Sequence, residues 1–511
     1  MYDTNYLAHH LRSASVGRND SVCAEDLNGK IVSYGEMFET AEKHAIALQA
    51  AGLKPGDCVA VQVEKSMESI QLYLGTILAG GIFLPLNTAY TPSELEYFLD
   101  NAKPRIFVCD PEKLPALQEL ADQAGVTTVL TLSAHSEGTL IDTLPSSTEK
   151  FNVVARTKDD LASFLYTSGT TGRSKGAMLT HGNLVSNAQS LQECWHFKSS
   201  DVLIHALPIF HIHGLFVAIN ITLCTGSSML LMPRFDSEVI ISVMHKATVL
   251  MGVPTFYVRL LESANLNPEV IANMRLFVSG SAPLLAETHQ QWQTITGTAI
   301  LERYGMTETN MNTSNPYLGE RRAGSVGMPL PGVEVRIADA DTGKELPRGE
   351  TGSVEIRGPN VFKGYWQMPE KTKQEFRQDG FFITGDIGIM DNENYLSIVG
   401  RSKDLIISGG YNIYPKEIEV VLDDLEGVYE SAVIGAPHPD FGEGVLAVVV
   451  LAVQGSINES DLKISLKQKL ASYKRPKTIF FVEQLPRNTM GKVLKNELRL
   501  EYKHHFIQPI G

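Results

Sequence analysis

The sequence predicts a layered α/β protein divided into more than one domain. Helical and strand-like segments alternate through the N-terminal part, the pattern of a sheet covered by helices. After about residue 320 the texture changes to short β-type runs between Gly/Pro turns. The chain has 511 residues, more than a single hydrophobic core usually serves.

Residues 36–51 carry apolar groups at helical spacing and stop at Gly52. A Pro55-Gly56-Asp57 turn leads into "CVAVQV", a buried strand. Residues 66–79 read as a helix closed by Gly80-Gly81, and "IFLPL" as the next strand. Thr91-Pro92-Ser93-Glu94 has capping-box spacing with proline at the first helical position, so a helix starts there, and "RIFVC" returns as a strand. Val202–Pro233 contains no Lys, Arg, Asp or Glu, long enough to span a membrane. His205, Pro208, His211, His213, Asn220 and Thr222 interrupt it, and a Thr-Gly-Ser-Ser turn follows, so a buried helix and then a buried strand are expected. Beyond 320, "VEVRI", "SVEIR" and "YLSIV" suggest a small barrel or meander. After "GRSKD" at 400–404, the helix "PKEIEVVLDDL", the strand "VLAVVVLAV" and basic loops suggest a separate small domain.

A formal net charge of −14 argues against general nucleic-acid binding and against docking on anionic membranes. Cys23, Cys58, Cys109, Cys194 and Cys224 form no CxxC pair, which suggests a reducing compartment and no zinc site. The N-terminus lacks the apolar core of a signal peptide, and a cytoplasmic location is expected.

The strongest chemical signal is "YTSGTTGRSKGAMLTH", 166–181. An apolar run feeds a loop with Thr167, Ser168, Thr170 and Thr171. Gly169, Gly172 and Gly176 leave backbone N–H groups open, and Lys175 adds a cation. Backbone donors, hydroxyls and a lysine together suit phosphate. The loop is not a Walker A motif, since Lys175 is followed by Gly176 and the glycine spacing differs.

This loop resembles the signature of the adenylate-forming superfamily, which includes acyl-CoA synthetases, adenylation domains of peptide synthetases and luciferases. "LPIFHIHG" (207–214), "SGSAPL" (279–284), "ERYGMTETN" (302–310), "GFFITGDIG" (380–388), "GRSKDLIISGGYNIYPKEIE" (400–419) and "PRNTMGKVLK" (486–495) follow in the family's order, so the resemblance covers essentially the whole chain. It implies a large N-terminal domain (1–402) of two layered α/β subdomains plus a small β-barrel. This is hinged to a mobile C-terminal α+β domain (403–511). It also implies two half-reactions, with ATP, Mg²⁺ and coenzyme A as reactants and cofactor. A carboxylate attacks the α-phosphate and pyrophosphate leaves; a thiol then attacks the acyl-adenylate and AMP leaves.

By resemblance, the 167–175 loop holds the β- and γ-phosphates, Thr307 binds phosphate and Glu308 holds Mg²⁺. Ser281, Ala282, Pro283, Glu302 and Tyr304 frame the adenine, and Asp386 with Arg401 takes the ribose. Lys492 bridges the substrate carboxylate and the α-phosphate, His211 gates the acyl pocket, and Lys403 is the pivot of the C-terminal domain. Gly409, Gly410 and Tyr411 line the pantetheine tunnel. Lys474 and Arg475, in "YKRPK", are candidates for coenzyme A phosphates beside the ordinary reading of a solvated charge run. Related synthetases are silenced by acetylation of the lysine matching Lys492, so an acetyltransferase and a deacetylase are possible partners.

Arg303 narrows the acid. Many relatives carry glycine at this position, beside the acyl pocket. A buried unpaired guanidinium costs several kcal/mol, and Glu302 next to it faces the other side of the strand. A second carboxylate on the substrate answers this with a forked ion pair. The acid is therefore expected to be short and dicarboxylic, malonate fitting best, and the wider agreement resembles the malonyl-CoA synthetase branch. His213 either reaches the distal carboxylate or is a satisfied core histidine. Arg259 is a weaker second cation, and Ile212 and Met306 are expected to wall the C2 substituent. A ligase for methylmalonate or oxalate, a carrier-protein-loading enzyme and a non-catalytic nucleotide binder are the rival readings.

Overall fold

The computed structural model describes residues 2–149, 151–167, 174–409, 411–453, 455, 457–488 and 491–507. The chain divides into two compact units, Met1–Glu334 with Ile356–Phe382, and Val335–Glu355 with Ile383–Gly511.

The first unit holds two sheets. One has seven strands in the order Gly364–Tyr365, Lys175–Thr180, Leu161–Thr167, Ile82–Pro85, Cys58–Gln62, Ile106–Cys109 and Thr128–Thr131. The strands Cys58–Gln62, Ile82–Pro85 and Ile106–Cys109 pair in parallel and are buried throughout, as strands covered on both faces must be. Their helices begin where the sequence indicates. Ser66 caps Met67–Leu78, and Thr91 and Glu94 close a capping box on Pro92–Ala102.

The other sheet has nine strands in the order Met328–Pro329, Asn310–Ser314, Leu301–Met306, Leu276–Ser279, Val249–Gly252, Val202–His205, Ser228–Leu231, Val22–Asp26 and Ile31–Ser33. From Leu301–Met306 to Val22–Asp26 each neighbouring pair is parallel. The uncharged stretch folds as the strand Val202–His205, a π-helical segment His213–Ile219 continuing into Asn220–Thr225, and the strand Ser228–Leu231. Some of its polar groups find partners inside: Tyr73 donates to Asn220 at 3.1 Å and Thr222 to the Ala218 carbonyl at 2.8 Å. Among the described residues no helix is long and apolar enough to cross a membrane.

Most of a four-stranded sheet, Glu334–Ala338, Thr351–Arg357, Phe382–Met390 and Leu396–Arg401, falls in the second unit, where a small barrel is expected. That unit also has a five-stranded sheet built on the long antiparallel pair Val428–His438 and Gly442–Leu451. Ile418 and Leu422 of the helix Pro415–Asp423 and Leu462 and Leu466 of Glu459–Lys469 bury against the five-stranded sheet. All five cysteines are free thiols.

One buried ion pair fixes the start of Val202–His205. Asp201, 1% exposed, accepts from Arg275 Nε at 2.7 Å and Nη2 at 2.6 Å, from Thr248 at 2.8 Å and from the Lys198 N–H at 2.9 Å. Burial raises its carboxyl, but these donors outweigh it and hold the carboxyl below the ordinary range. The depressed pKa means the contribution is full above the unfolded value and is lost as pH falls through the folded one. Arg275→Met should therefore cost about 3 kcal/mol at neutral pH, read as a lower urea midpoint by tryptophan fluorescence. The gap to the wild type should narrow below about pH 4.

Candidate active site

Ligands of open α/β sheets sit outside the carboxyl ends of the strands, and here those ends carry the chemistry. Gly252 lies beside Ser279 and Ser279 beside Glu302 across three parallel neighbours. Arg303 follows, 3% exposed, and its Nε and Nη2 have no hydrogen-bond partner among the described residues. Its guanidinium lies on the Gly280 backbone, where an added Cβ would come within 2.5 Å of Cζ. Burial pushes Arg303 down to about 9, so it remains charged at neutral pH. Around it the titratable groups are neutral. His211 is pushed down to about 4 and His213 well below the usual range, each by burial first and then by Arg303. Burial drives the Tyr257 phenol well up, with Arg303 opposing.

The His213 N–H donates to His211 Nδ1 at 3.2 Å. His213 Nδ1 lies 3.3 Å from Ser281 Oγ, while its Nε2 is buried without a partner among the described residues. It is therefore not a satisfied core histidine. Ile212 is buried and Met306 half-buried. The group is a buried cation with two unused donors, flanked by neutral polar rings, and such a site receives an anion.

A second cluster lies at the two stems of the Gly-rich loop. Thr167 and Lys175 are direct partners across the antiparallel ladder. Thr167 Oγ1 donates to Glu308 Oε1 at 3.2 Å, and Lys175 Nζ binds Glu375 Oε1 at 3.0 Å and lies 4.1 Å above the Tyr365 ring. The Tyr365 hydroxyl sits 2.6 Å from Glu375 Oε2 and 3.1 Å from Glu308 Oε1. Ser168, Gly169, Thr170, Thr171 and Gly172 lie outside the described residues. Thr307 is half-buried in the turn after Leu301–Met306, with Glu308 next to it.

Magnesium can be tested against these residues. Among the described residues no group of three or more His, Cys, Asp or Glu could hold a metal ion. Mg²⁺ needs no protein cage, since it keeps waters and takes one or two carboxylates with substrate phosphates. Buried Glu308, next to the loop stems, fits that donor set.

Of the expected adenine group, Ser281 and Ala282 are half-buried and Pro283 exposed, just beyond Leu276–Ser279, and Ser281 has a φ of +74°. Tyr304 is half-buried. The Glu302 carboxylate faces His289 at 3.5 Å and the Gly324 N–H at 3.4 Å, on the other face of its strand from Arg303.

In the second unit Asp386 and Arg401 are opposite each other on an antiparallel ladder, and Arg401 Nε lies 2.9 Å from Asp386 Oδ1. Lys492 is half-buried near them and is pushed down to about 8, by burial first and then by Arg401, with Asp386 opposing. Lys403 is on the single turn Ser402–Asp404. Gly409 has a φ of +58°, and Gly410 lies outside the described residues. Tyr411, 57% exposed, stacks on Tyr473 at 4.6 Å.

Three expected cations already have local contacts. Lys474 is paired with Glu417, and Arg475 donates to the Leu470 carbonyl at 2.8 Å and the Lys467 carbonyl at 3.3 Å. Arg259 is exposed over the Phe235 ring, about 200° around its helix from Tyr257, so it is not brought to Arg303. Sequence reasoning missed Tyr257, Tyr365 and Glu375. The one available signal is that a lysine beside two glycine turns needs an acidic partner, and Glu375 is 200 residues away.

The comparisons with known proteins give the family. Residues 6–366 match the AMP-binding enzyme model and residues 417–492 its C-terminal domain. The chain belongs to the AMP-binding enzyme family. Its relatives in that family include a malonate–CoA ligase of Arabidopsis thaliana, 33% identical over 92% of this chain and 85% of that one. A long-chain-fatty-acid–CoA ligase of Bacillus subtilis (strain 168) is also 33% identical, over 97% and 94%. The crystal structure of ATP-bound MatB from Rhodopseudomonas palustris superposes with a TM-score of 0.96 at 55% identity, covering 98% of this chain and 99% of that one.

The position of Lys492 gives a direct expectation. In competitive labelling with an amine-reactive anhydride across pH 6–11, Lys492 should titrate near about 8, well below an ordinary lysine.

Proposed function

We propose that this protein is an ATP-dependent, AMP-forming malonate–CoA ligase. One observation carries the choice of acid: Arg303 is a buried cation whose Nε and Nη2 have no partner among the described residues. Equal overall identity to a malonate ligase and a long-chain fatty-acid ligase does not select an acid. A long apolar chain would leave the guanidinium unpaired. A dicarboxylate supplies two oxygens in the plane of the fork. The 55% identity to ATP-bound MatB supports the nucleotide half of this reading.

In this reading the distal carboxylate of malonate sits on Arg303, with neutral His213 and His211 beside it. An oxygen of the other carboxylate attacks the α-phosphorus, forming a C–O–P bond as the bond to pyrophosphate breaks. The role proposed for Lys492 is to screen the repulsion of these two anionic groups as charge builds. Thr167, Lys175 and Thr307 hold the leaving phosphates, and Asp386 with Arg401 positions the ribose. Glu308 would hold Mg²⁺, which neutralises phosphate charge when bound. Coenzyme A then loses its thiol proton to solvent. Its sulfur forms the C–S bond as the C–O bond to AMP breaks.

The domain division at 402/403 with Lys403 as pivot, and the backbone at Gly409 and Gly410 with Tyr411 beside the thiol arm, belong to this proposal. So does a cytoplasmic location, in keeping with five free thiols. Acetylation of Lys492 would remove its ammonium, and a deacetylase would restore it. Mass spectrometry of acetylated protein should show activity falling in step with occupancy at Lys492.

The test of the acid is pyrophosphate release with malonate, methylmalonate, acetate, succinate and 4-coumarate, with free coenzyme A as acceptor. Malonate should be turned over best. Arg303→Gly should lower kcat/KM for malonate about a hundredfold or more, and Arg303→Lys should fall between, keeping charge without the fork. Equal turnover of acetate by the wild type, or full malonate activity in Arg303→Gly, would overturn the proposal.

A further inference from the structure

The two stems of the Gly-rich loop are tied together through two groups that the reaction above does not use, Tyr365 and Glu375. Thr167 ends one strand and Lys175 begins the next, directly across the ladder. Thr167 donates to Glu308 at 3.2 Å, and Lys175 to Glu375 at 3.0 Å. The Tyr365 hydroxyl lies between the two carboxylates, 3.1 Å from Glu308 and 2.6 Å from Glu375. The result is a closed ring: loop stem, Glu308, Tyr365, Glu375, loop stem.

Each member is fixed independently. Tyr365 is 2% exposed and pairs in antiparallel register with Ala177, two residues beyond Lys175, while its N–H donates to Thr372 at 2.9 Å. Its ring carries the Lys175 ammonium at 4.1 Å. Glu375 also binds Lys371 at 2.9 Å. Lys175 is 5% exposed and has three N–H donors, of which Glu375 takes one. It is therefore anchored but not saturated.

We propose that Glu375 and Tyr365 are positioning residues for the nucleotide: they clamp the stems of the Gly-rich loop and fix Lys175 and Glu308 relative to each other before the triphosphate arrives. The inference rests on the phosphate and metal roles proposed above for Lys175 and Glu308. Glu375 holds the ammonium where it stands, leaving two donors for phosphate oxygens. The phenol has one hydrogen to share between two carboxylates. It joins Glu308 to the same rigid frame without neutralising it. Pre-organisation of this kind lowers the ordering cost that nucleotide binding would otherwise carry.

The test is equilibrium binding of MgATP together with steady-state kinetics for four single variants. Glu375→Gln keeps shape and removes charge. Tyr365→Phe keeps the ring under Lys175 and removes the bridge. Both should weaken MgATP binding and raise KM for MgATP about tenfold, with KM for malonate at saturating MgATP unchanged. Glu375→Asp, which restores the charge, should recover part of the loss. A merely structural role would lower the melting temperature and reduce kcat without this split between substrates. Lys175→Met is the control for the site itself. If it leaves MgATP binding unchanged, the phosphate assignment is wrong and the present inference goes with it. If Lys175→Met weakens binding while both Glu375→Gln and Tyr365→Phe bind MgATP as the wild type does, the clamp alone is overturned.

Discussion

A buried guanidinium without a counter-ion among the described residues is the constraint around which the strand ends are arranged. Removing such a charge from water costs several kcal/mol, and no described neighbour repays it. The adjacent carboxylate, Glu302, is turned to the opposite face and engaged with His289 and the Gly324 N–H. The nearby imidazoles are neutral because Arg303 and burial both disfavour their charged forms. Gly280 lets the guanidinium lie against bare backbone. These features hold an electrostatic deficit in place, and folding stability elsewhere sustains it, in part through burial of apolar groups beneath the nine-stranded sheet.

The loop stems solve the opposite problem. There two carboxylates and a lysine are packed close, and the lysine is paired within the cluster. Glu375 takes two lysines, Lys175 and Lys371, and a phenol. The same unit therefore contains one cation left unpaired among the described residues and one paired with a carboxylate. In the proposed reading the first selects by the charge it lacks, and the second sets geometry by the charges it already contains.

Much of this was legible in the sequence, for local reasons. Capping boxes such as Thr91–Glu94, unbroken apolar strands such as "CVAVQ" and the alternation of sides along a strand are written within a few residues. The opposite facing of Glu302 and Arg303 follows from that alternation, and so does the expectation that Arg303 lacks a local partner. Tyr365 and Glu375 were not legible, because their meaning depends on a loop far away along the chain. The local partners of Lys474 and Arg475 were hidden for a related reason. A cation run reads as free charge until the carbonyls and the carboxylate of Glu417 that it contacts are brought to it by the fold. Arg259 misled through helix geometry, its position on the exposed side being set by which face Tyr257 and Leu260 bury.

Arg303 also has a consequence at the end of the cycle. With malonate bound as proposed, only one end of the acid is chemically altered. The other end leaves the reaction as it entered, still a carboxylate on the same fork. The grip that admits the acid therefore also retards departure of its thioester. Residence time of the product and selectivity for the substrate are set by one ion pair, and a substitution that loosens it trades one against the other.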